Sequence, residues 1–164
     1  MSWRRWVGYA CGLFLVVGAM VLSRQYLEKY SLIHRRAQSI LGEGMEVIQA
    51  PSGKIYLNRS KAVLFFTGQG MRAPIRGWLI IDRKEGNIKE VHLETNIEGI
   101  DRQLAGMRPL LDQFLGRDVD TPVLVDVVTG ASISSQSVID GVNSALAVWR
   151  EYVESLSAFS QDIL

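Results

Sequence analysis

Five short runs rich in β-branched and aromatic residues follow one another between residues 45 and 95, and they constrain the fold of this 164-residue chain most strongly. Runs of this kind, separated by turn residues, are typical of strands in a sheet. The turn residues at 51–53 and 83–87 are hairpin signals, so we expect a mostly antiparallel sheet. The predicted strands are 45–50, 54–59, 62–67, 75–82 and 88–95.

Helical periodicity follows the predicted strands. One apolar stripe, at spacings of 4, 3, 4 and 3, comprises Ile100, Leu104, Met107, Leu111 and Phe114. It predicts an amphipathic helix that ends at Gly116. A second stripe predicts a last helix from about Ser135 to Leu156, and the apolar residues 123–125 between the two predict a short buried strand. This pattern is typical of an α+β domain with flanking helices, and its roughly 120 residues can bury a single core.

The N-terminal region contains a long stretch without charge. Residues 6–23 are 18 uncharged residues, close to the roughly 20 that cross a bilayer. Aromatic residues flank both ends. We therefore expect an N-terminal transmembrane helix, with a membrane anchor and juxtamembrane helix over 1–41 and a folded domain over 42–164. A cleaved signal peptide is the alternative, although no A-x-A-like site follows the apolar run.

The charge distribution excludes several kinds of function. The chain has 18 basic and 17 acidic residues, with a net +5 in residues 1–36 and −4 in the remainder. This near-neutral total argues against nucleic acid as a partner. One cysteine and two histidines leave little for a metal centre or a histidine-based catalytic set, so we predict neither a metal site nor a catalytic residue. The basic end suggests proximity to a lipid bilayer.

The segment 126–135, with the sequence DVVTGASISS, carries the chemistry of the chain. Gly130 and Ala131 are small, so a large group can approach the backbone. The helix expected to follow presents unpaired N–H groups that suit a phosphate. On the residues alone, a serine-rich helix cap without a ligand is the favoured interpretation, and a phosphate site is the alternative. The segment offers four hydroxyl side chains: Thr129, Ser132, Ser134 and Ser135.

This segment resembles the flavinylation motif D-x-x-[ST]-G-A-[ST]-x-[ST] of the FMN-binding domain family. The family includes flavin subunits of Rnf-type complexes and of the sodium-translocating NADH:quinone reductase. Its second Ser/Thr carries FMN through a phosphoester bond that a flavin transferase installs. The resemblance implies that Ser132 is this attachment point and that 42–164 is an FMN-binding domain. The other residues that it assigns to the cofactor site here are Asp126, Thr129, Gly130, Ala131, Ser134 and Ser135.

The resemblance continues upstream of the motif. Residues 68–75 are similar to a glycine-rich turn of the family, and 77–95 are similar to its strand, turn and strand ending in Glu-Thr. The likeness implies that Glu94 and Thr95 lie on the flavin side, and we expect Met71 to pack on the ring. Arg72 and Arg76 are candidates for balancing flavin charge. The chain continues Asn-Ile-Glu-Gly at 96–99, where family members commonly have Pro-Gly.

The resemblance implies a membrane-anchored electron-transfer flavoprotein. The expected location is the cytoplasmic membrane, with a single span and the domain on the periplasmic or outer side. The expected partners are subunits of a membrane redox complex, the flavin transferase and the bilayer. Such a chain is an electron-carrier subunit rather than a stand-alone enzyme. The departure at 96–99 favours an alternative, a flavin-free or non-covalent module that acts as an assembly or binding subunit.

Overall fold

The computed structural model describes residues 20, 21, 23, 24, 27, 32–70, 74–94, 106–127 and 132–161. The chain divides into two compact units, residues 1–40 and 41–164. The described residues of the first unit are helical, and residues 32–41 form helix α1. Gly42 and Gly44 follow with φ angles of 72° and 79°. These angles favour glycine and end a helix, as the sequence predicts.

The predicted fold class included an N-terminal transmembrane helix, and the structure corrects this part of it. Within the described ranges, the structure contains no helix long and apolar enough to cross a membrane. Helix α1 has ten described residues, which include His34, Arg35 and Arg36. Most of the uncharged stretch 6–23 lies outside the described residues.

The second unit contains a five-stranded antiparallel sheet. Its order is β1-β2-β3-β4-β5, so each strand pairs with its neighbour in sequence. The predicted antiparallel sheet is confirmed, with each predicted strand within about two residues of the observed one. The strands are β1 (Glu46–Ala50), β2 (Gly53–Leu57), β3 (Lys61–Gln69), β4 (Pro74–Asp82) and β5 (Asn87–Leu93).

The β4–β5 hairpin is closed by a side chain. Oδ1 of Asp82 accepts hydrogen bonds from the N–H groups of Lys84 (2.9 Å) and Glu85 (3.3 Å). The Lys84 hydrogen bond is the main cause that holds the pKa of Asp82 below its ordinary value of 3.8. Nζ of Lys89 lies 3.5 Å from the same carboxylate and lowers the pKa further.

Two helices cover one face of the sheet. Helix α2 (Arg108–Asp112) is short, and α3 (Ser132–Gln161) has 30 residues. Leu110 of α2 and Phe114, which follows this helix, pack with Ile88 and Val91 of β5 in one core, to which α3 contributes Leu146. Of the helix predicted over 100–114, the structure shows Arg108–Asp112, and residues 100–105 lie outside the described residues.

Helix α3 runs antiparallel to β3 across the sheet. A Cβ at Gly68 would lie 2.3 Å from the backbone oxygen of Ser137, and one at Gly141 would lie 2.6 Å from the ring of Phe66. Glycine at these two positions lets helix and strand approach each other closely. At the other end, the carboxylate of Glu151 accepts a hydrogen bond from the N–H of Ser52 in the β1–β2 turn. The start of α3 is thereby fixed near the β3–β4 end of the sheet.

The short buried strand predicted over 123–125 is wrong. Residues 122–127 are neither helix nor strand, and the side chain of Leu124 is 85 % exposed. Val123 is buried and the half-buried Val125 packs against the core, so the apolar composition reflects two anchored residues on either side of an exposed one. The hydrogen bonds of this segment go to side chains, as described below.

Candidate functional site

The motif ends at the beginning of the longest helix described. Ser132 is the first residue of α3, three residues before the predicted start. The first four N–H groups of a helix have no partner within the helix and carry its positive dipole end. The first turn of α3 contains no acidic residue. This helix end therefore favours an anion.

The hydroxyl residues that follow Ser132 lie in different surroundings. Ser134 is half-buried, and Ser135 is fully buried in the first turn. Ser137 is buried as well, and its Oγ donates a hydrogen bond to the backbone oxygen of Gln69 at the end of β3. This bond ties the second turn of α3 to the β3–β4 end of the sheet. Ser132 lies about 7.5 Å from Ser137 along the helix axis.

Glu94 lies at this same end of the sheet. Its N–H donates to the backbone oxygen of Arg76 at 2.7 Å, and Arg76 pairs with Thr67 of β3. Arg76 is exposed and Glu94 is half-buried. The fold therefore brings Glu94 and Arg76 to the end of the sheet from which α3 starts.

The chain approaches the motif along residues 122–127, which two side-chain amides hold. Asn143 of α3 accepts from the N–H of Val123 at 2.8 Å and donates to its carbonyl at 3.0 Å. Gln113 accepts from the N–H of Asp126 at 2.9 Å and donates to its carbonyl at 3.3 Å. Asp126, the first residue of the motif, is exposed, and its backbone is fixed by these two bonds.

The remaining predicted cofactor residues lie outside the described residues. They are Met71, Thr95, Thr129, Gly130 and Ala131, together with Arg72. The described members of the predicted site are the helix-start residues Ser132, Ser134 and Ser135, with Asp126 and Glu94. The roles assigned to all of these residues stay predictions.

The sequence analysis did not identify Gln113, Asn143 or Ser137. Asn143 carries a weak signal, because asparagine is a poor helix former and stands here beside the apolar stripe of α3. Gln113 and Ser137 carry none, since glutamine and serine are ordinary surface residues of helices. Their partners are backbone groups far along the chain, and no local pattern reveals these.

Comparison with known families identifies the domain. The family model described as FMN-binding domain matches residues 70–147. This range contains β4, β5, α2, the approach segment and the first half of α3. The chain therefore carries an FMN-binding domain, and the predicted family and its cofactor, FMN, are confirmed at that level. No curated protein matches the chain significantly.

The described residues fit the phosphate end of FMN. The helix start at Ser132 carries the positive end of the helix dipole, and its first turn has no acidic residue. A hydroxyl residue occupies the first helical position, where an ester to phosphate can form. The narrower resemblance to flavin subunits of Rnf-type and sodium-translocating complexes stays a prediction.

Proposed function

We propose that this chain is an electron-transfer flavoprotein that carries FMN through a phosphoester bond on Ser132. One observation carries the proposal: the motif serine is the first residue of a 30-residue helix whose first turn has no acidic residue. The family match over residues 70–147 supports flavin as the ligand of this region.

Attachment requires an activated phosphate. A flavin dinucleotide supplies one, because its pyrophosphate bond can break with a nucleoside monophosphate as leaving group. The hydroxyl oxygen of Ser132 forms the new bond to the FMN phosphorus, and its proton passes to a base of the flavin transferase. No electrons are transferred in this step. Ser132 is the acceptor of the flavin and takes no part in later redox chemistry.

The protein's own part is to place and tune the flavin. FMN supplies the redox chemistry when bound, while binding, orientation and electrostatics come from the chain. The helix-start N–H groups at Ser132 stabilise the phosphate charge. Arg76 supplies a positive charge at the same end of the sheet, and Glu94 a negative one. The covalent tether keeps the flavin on the protein where free FMN is scarce.

The proposal includes two kinds of partner. A flavin transferase recognises the segment around Ser132 and acts once during maturation. Subunits of a membrane redox complex then exchange electrons with the finished flavoprotein. We place the domain on the periplasmic or outer side of the cytoplasmic membrane, and cell fractionation with protease accessibility tests this location. Protection of the domain inside intact spheroplasts would contradict it.

Flavin fluorescence in a denaturing gel tests the attachment. The full chain is co-expressed with a flavin transferase, as wild type and as Ser132→Ala. We expect a fluorescent wild-type band and a dark Ser132→Ala band, since the ester survives denaturation and bound flavin does not. Ser132→Thr is expected to keep the fluorescence because threonine retains a hydroxyl.

Ser144→Ala is the matched control, because Ser144 is an exposed serine of the same helix three turns further on. Its band should be as bright as that of wild type. A dark wild-type band, with the transferase active on another substrate, would contradict the proposal and favour the flavin-free or non-covalent binding module. A fluorescent Ser132→Ala band would place the tether on another residue.

A further inference from the structure

Side chains hold the approach segment 122–127, which is neither helix nor strand. The N–H and the C=O of Val123 both bond the carboxamide of Asn143. The N–H and the C=O of Asp126 both bond the carboxamide of Gln113. A carboxamide is the side-chain equivalent of a peptide group, because it presents a donor and an acceptor side by side. Each carboxamide therefore bonds one residue of the segment as a peptide group of a neighbouring strand would.

Burial contributes little to fixing the backbone at the start of the motif. Leu124 is 85 % exposed, Val127 is 46 % exposed and Asp126 is exposed, whereas Val123 is buried. Val125 is half-buried and packs against the core. Apolar packing therefore fixes the segment at Val123 and Val125 but not at Asp126 and Val127, which enter the motif. At Asp126 the bonds to Gln113 set the backbone conformation.

The two amides come from different parts of the fold. Gln113 follows α2, and its Nε2 also lies 3.3 Å from the carbonyl of Pro109, which orients the carboxamide. Asn143 lies on α3, eleven residues after Ser132, and its partner Val123 lies nine residues before Ser132. Asn143 therefore joins the approach segment at Val123 to α3, and Gln113 fixes the backbone at Asp126, where the motif begins.

We propose that Gln113 and Asn143 are positioning residues that hold the approach segment 122–127, which leads to Ser132, in the conformation that the flavin transferase binds. This inference rests on the proposed covalent attachment at Ser132. A transferase must bind the residues around the acceptor hydroxyl in one conformation, and ordering a loose chain costs conformational entropy. A preorganised segment avoids that cost. Neither amide takes part in forming the ester, so their loss raises KM and leaves kcat unchanged.

Transferase kinetics on Gln113→Ala test this inference. The full chain is the substrate, with a purified flavin transferase and a flavin dinucleotide as donor. Loss of two hydrogen bonds should raise KM about tenfold, while kcat stays within about twofold of wild type. Asn143→Ala should show the same pattern. Gln49→Ala is the matched control, since Gln49 is a glutamine that bonds backbone carbonyls at Ala50 and Gly53, in the β1–β2 hairpin. Its KM should equal that of wild type.

Amide hydrogen exchange gives a readout that needs no flavin. In the unmodified chain, exchange at the N–H of Asp126 should be about tenfold faster in Gln113→Ala than in wild type. If Gln113→Ala does not fold, Gln113→Glu replaces it, because it keeps the acceptor for the Asp126 N–H but loses the donor to its carbonyl.

The outcomes separate the inference from the function on which it rests. A normal KM in folded Gln113→Ala, or a loss in kcat at unchanged KM, overturns the positioning role and leaves attachment at Ser132 intact. Unchanged exchange at Asp126 overturns it as well. A wild-type chain that accepts no flavin overturns both.

Discussion

Strand β3 and the approach segment 122–127 both lead towards the beginning of α3, but different interactions fix their backbones. β3 pairs with β2 on one side and β4 on the other through backbone hydrogen bonds. Its alternate residues Ala62, Leu64 and Phe66 are buried against the helical layer. The approach segment relies on two amide side chains and on two valines, the buried Val123 and the half-buried Val125. A regular strand is therefore robust to most single changes outside its buried positions, whereas the approach segment depends on these few side chains.

The largest expected difference between the sheet and the approach segment is the stability that is lost when a leucine is replaced by alanine. Leu79 of β4 is fully buried, whereas Leu124 of the approach segment is 85 % exposed. Leu79→Ala should lower the free energy of unfolding by about 2–5 kcal/mol, because it leaves a cavity in the core. Leu124→Ala should change it by less than about 0.5 kcal/mol. Urea unfolding measures both, and equal losses would mean that the approach segment is packed like the sheet.

The close approach of β3 and α3 gives the next effect. In Gly68→Ala the added Cβ meets the backbone oxygen of Ser137, which cannot move without shifting the helix. Overpacking of this kind should lower the free energy of unfolding by about 1–3 kcal/mol. Thermal unfolding of the variant measures the loss. A variant as stable as wild type would show that α3 can withdraw from the sheet at little cost.

Loss of one amide should cost less than either change in the core. Asn143→Ala leaves the N–H and C=O of Val123 without their partner, and we expect a loss of about 1–2 kcal/mol. Gln136→Ala is the control, because Gln136 lies on the same helix and bonds an exposed carboxylate, that of Asp140. Its effect should stay below about 0.5 kcal/mol. Equal effects in urea unfolding would contradict a special role for Asn143.

The smallest effect is expected at Asp82, where a side chain also holds backbone N–H groups. Its folded pKa is below the usual 3.8, so its contribution is present above that value and is lost as the pH falls through the lowered pKa. Asp82→Asn should therefore weaken the fall in stability on acidification below about pH 4. Unfolding curves measured at several pH values, with Asp112→Asn as control, test this. An acid profile equal to that of wild type would contradict the assignment.

The fold of the second unit was largely predictable, because burial produces a local pattern. The alternation in β3 and the helical stripe of α3, with Val142, Leu146 and Trp149 all buried, can be read from neighbouring residues. The predicted strand over 123–125 failed for the same reason, because three apolar residues match a buried strand although Leu124 faces solvent. The transmembrane helix expected from residues 6–23 was also wrong as an element of the described fold.

The site was predictable only in its motif. The family pattern in residues 126–135 predicts Ser132 as the attachment point, and the structure places the beginning of a long helix at this residue; the role of Ser132 stays a prediction. The residues that fix the approach segment could not be predicted, because Gln113 bonds a backbone 13 positions away and Asn143 one 20 positions away. Such bonds depend on how the elements pack and leave no periodic trace in the sequence.

The order of the strands has a consequence for how the chain acquires its fold during synthesis. Since every strand pairs with its neighbour in sequence, the sheet can form hairpin by hairpin as the chain emerges from the ribosome. Its apolar face gains its main cover only when residues 132–161 follow. A nascent chain that stops before Ser132 thus leaves much of this apolar face uncovered and is prone to aggregate. Ser132 has the folded domain around it only after residues 132–161 have been synthesised.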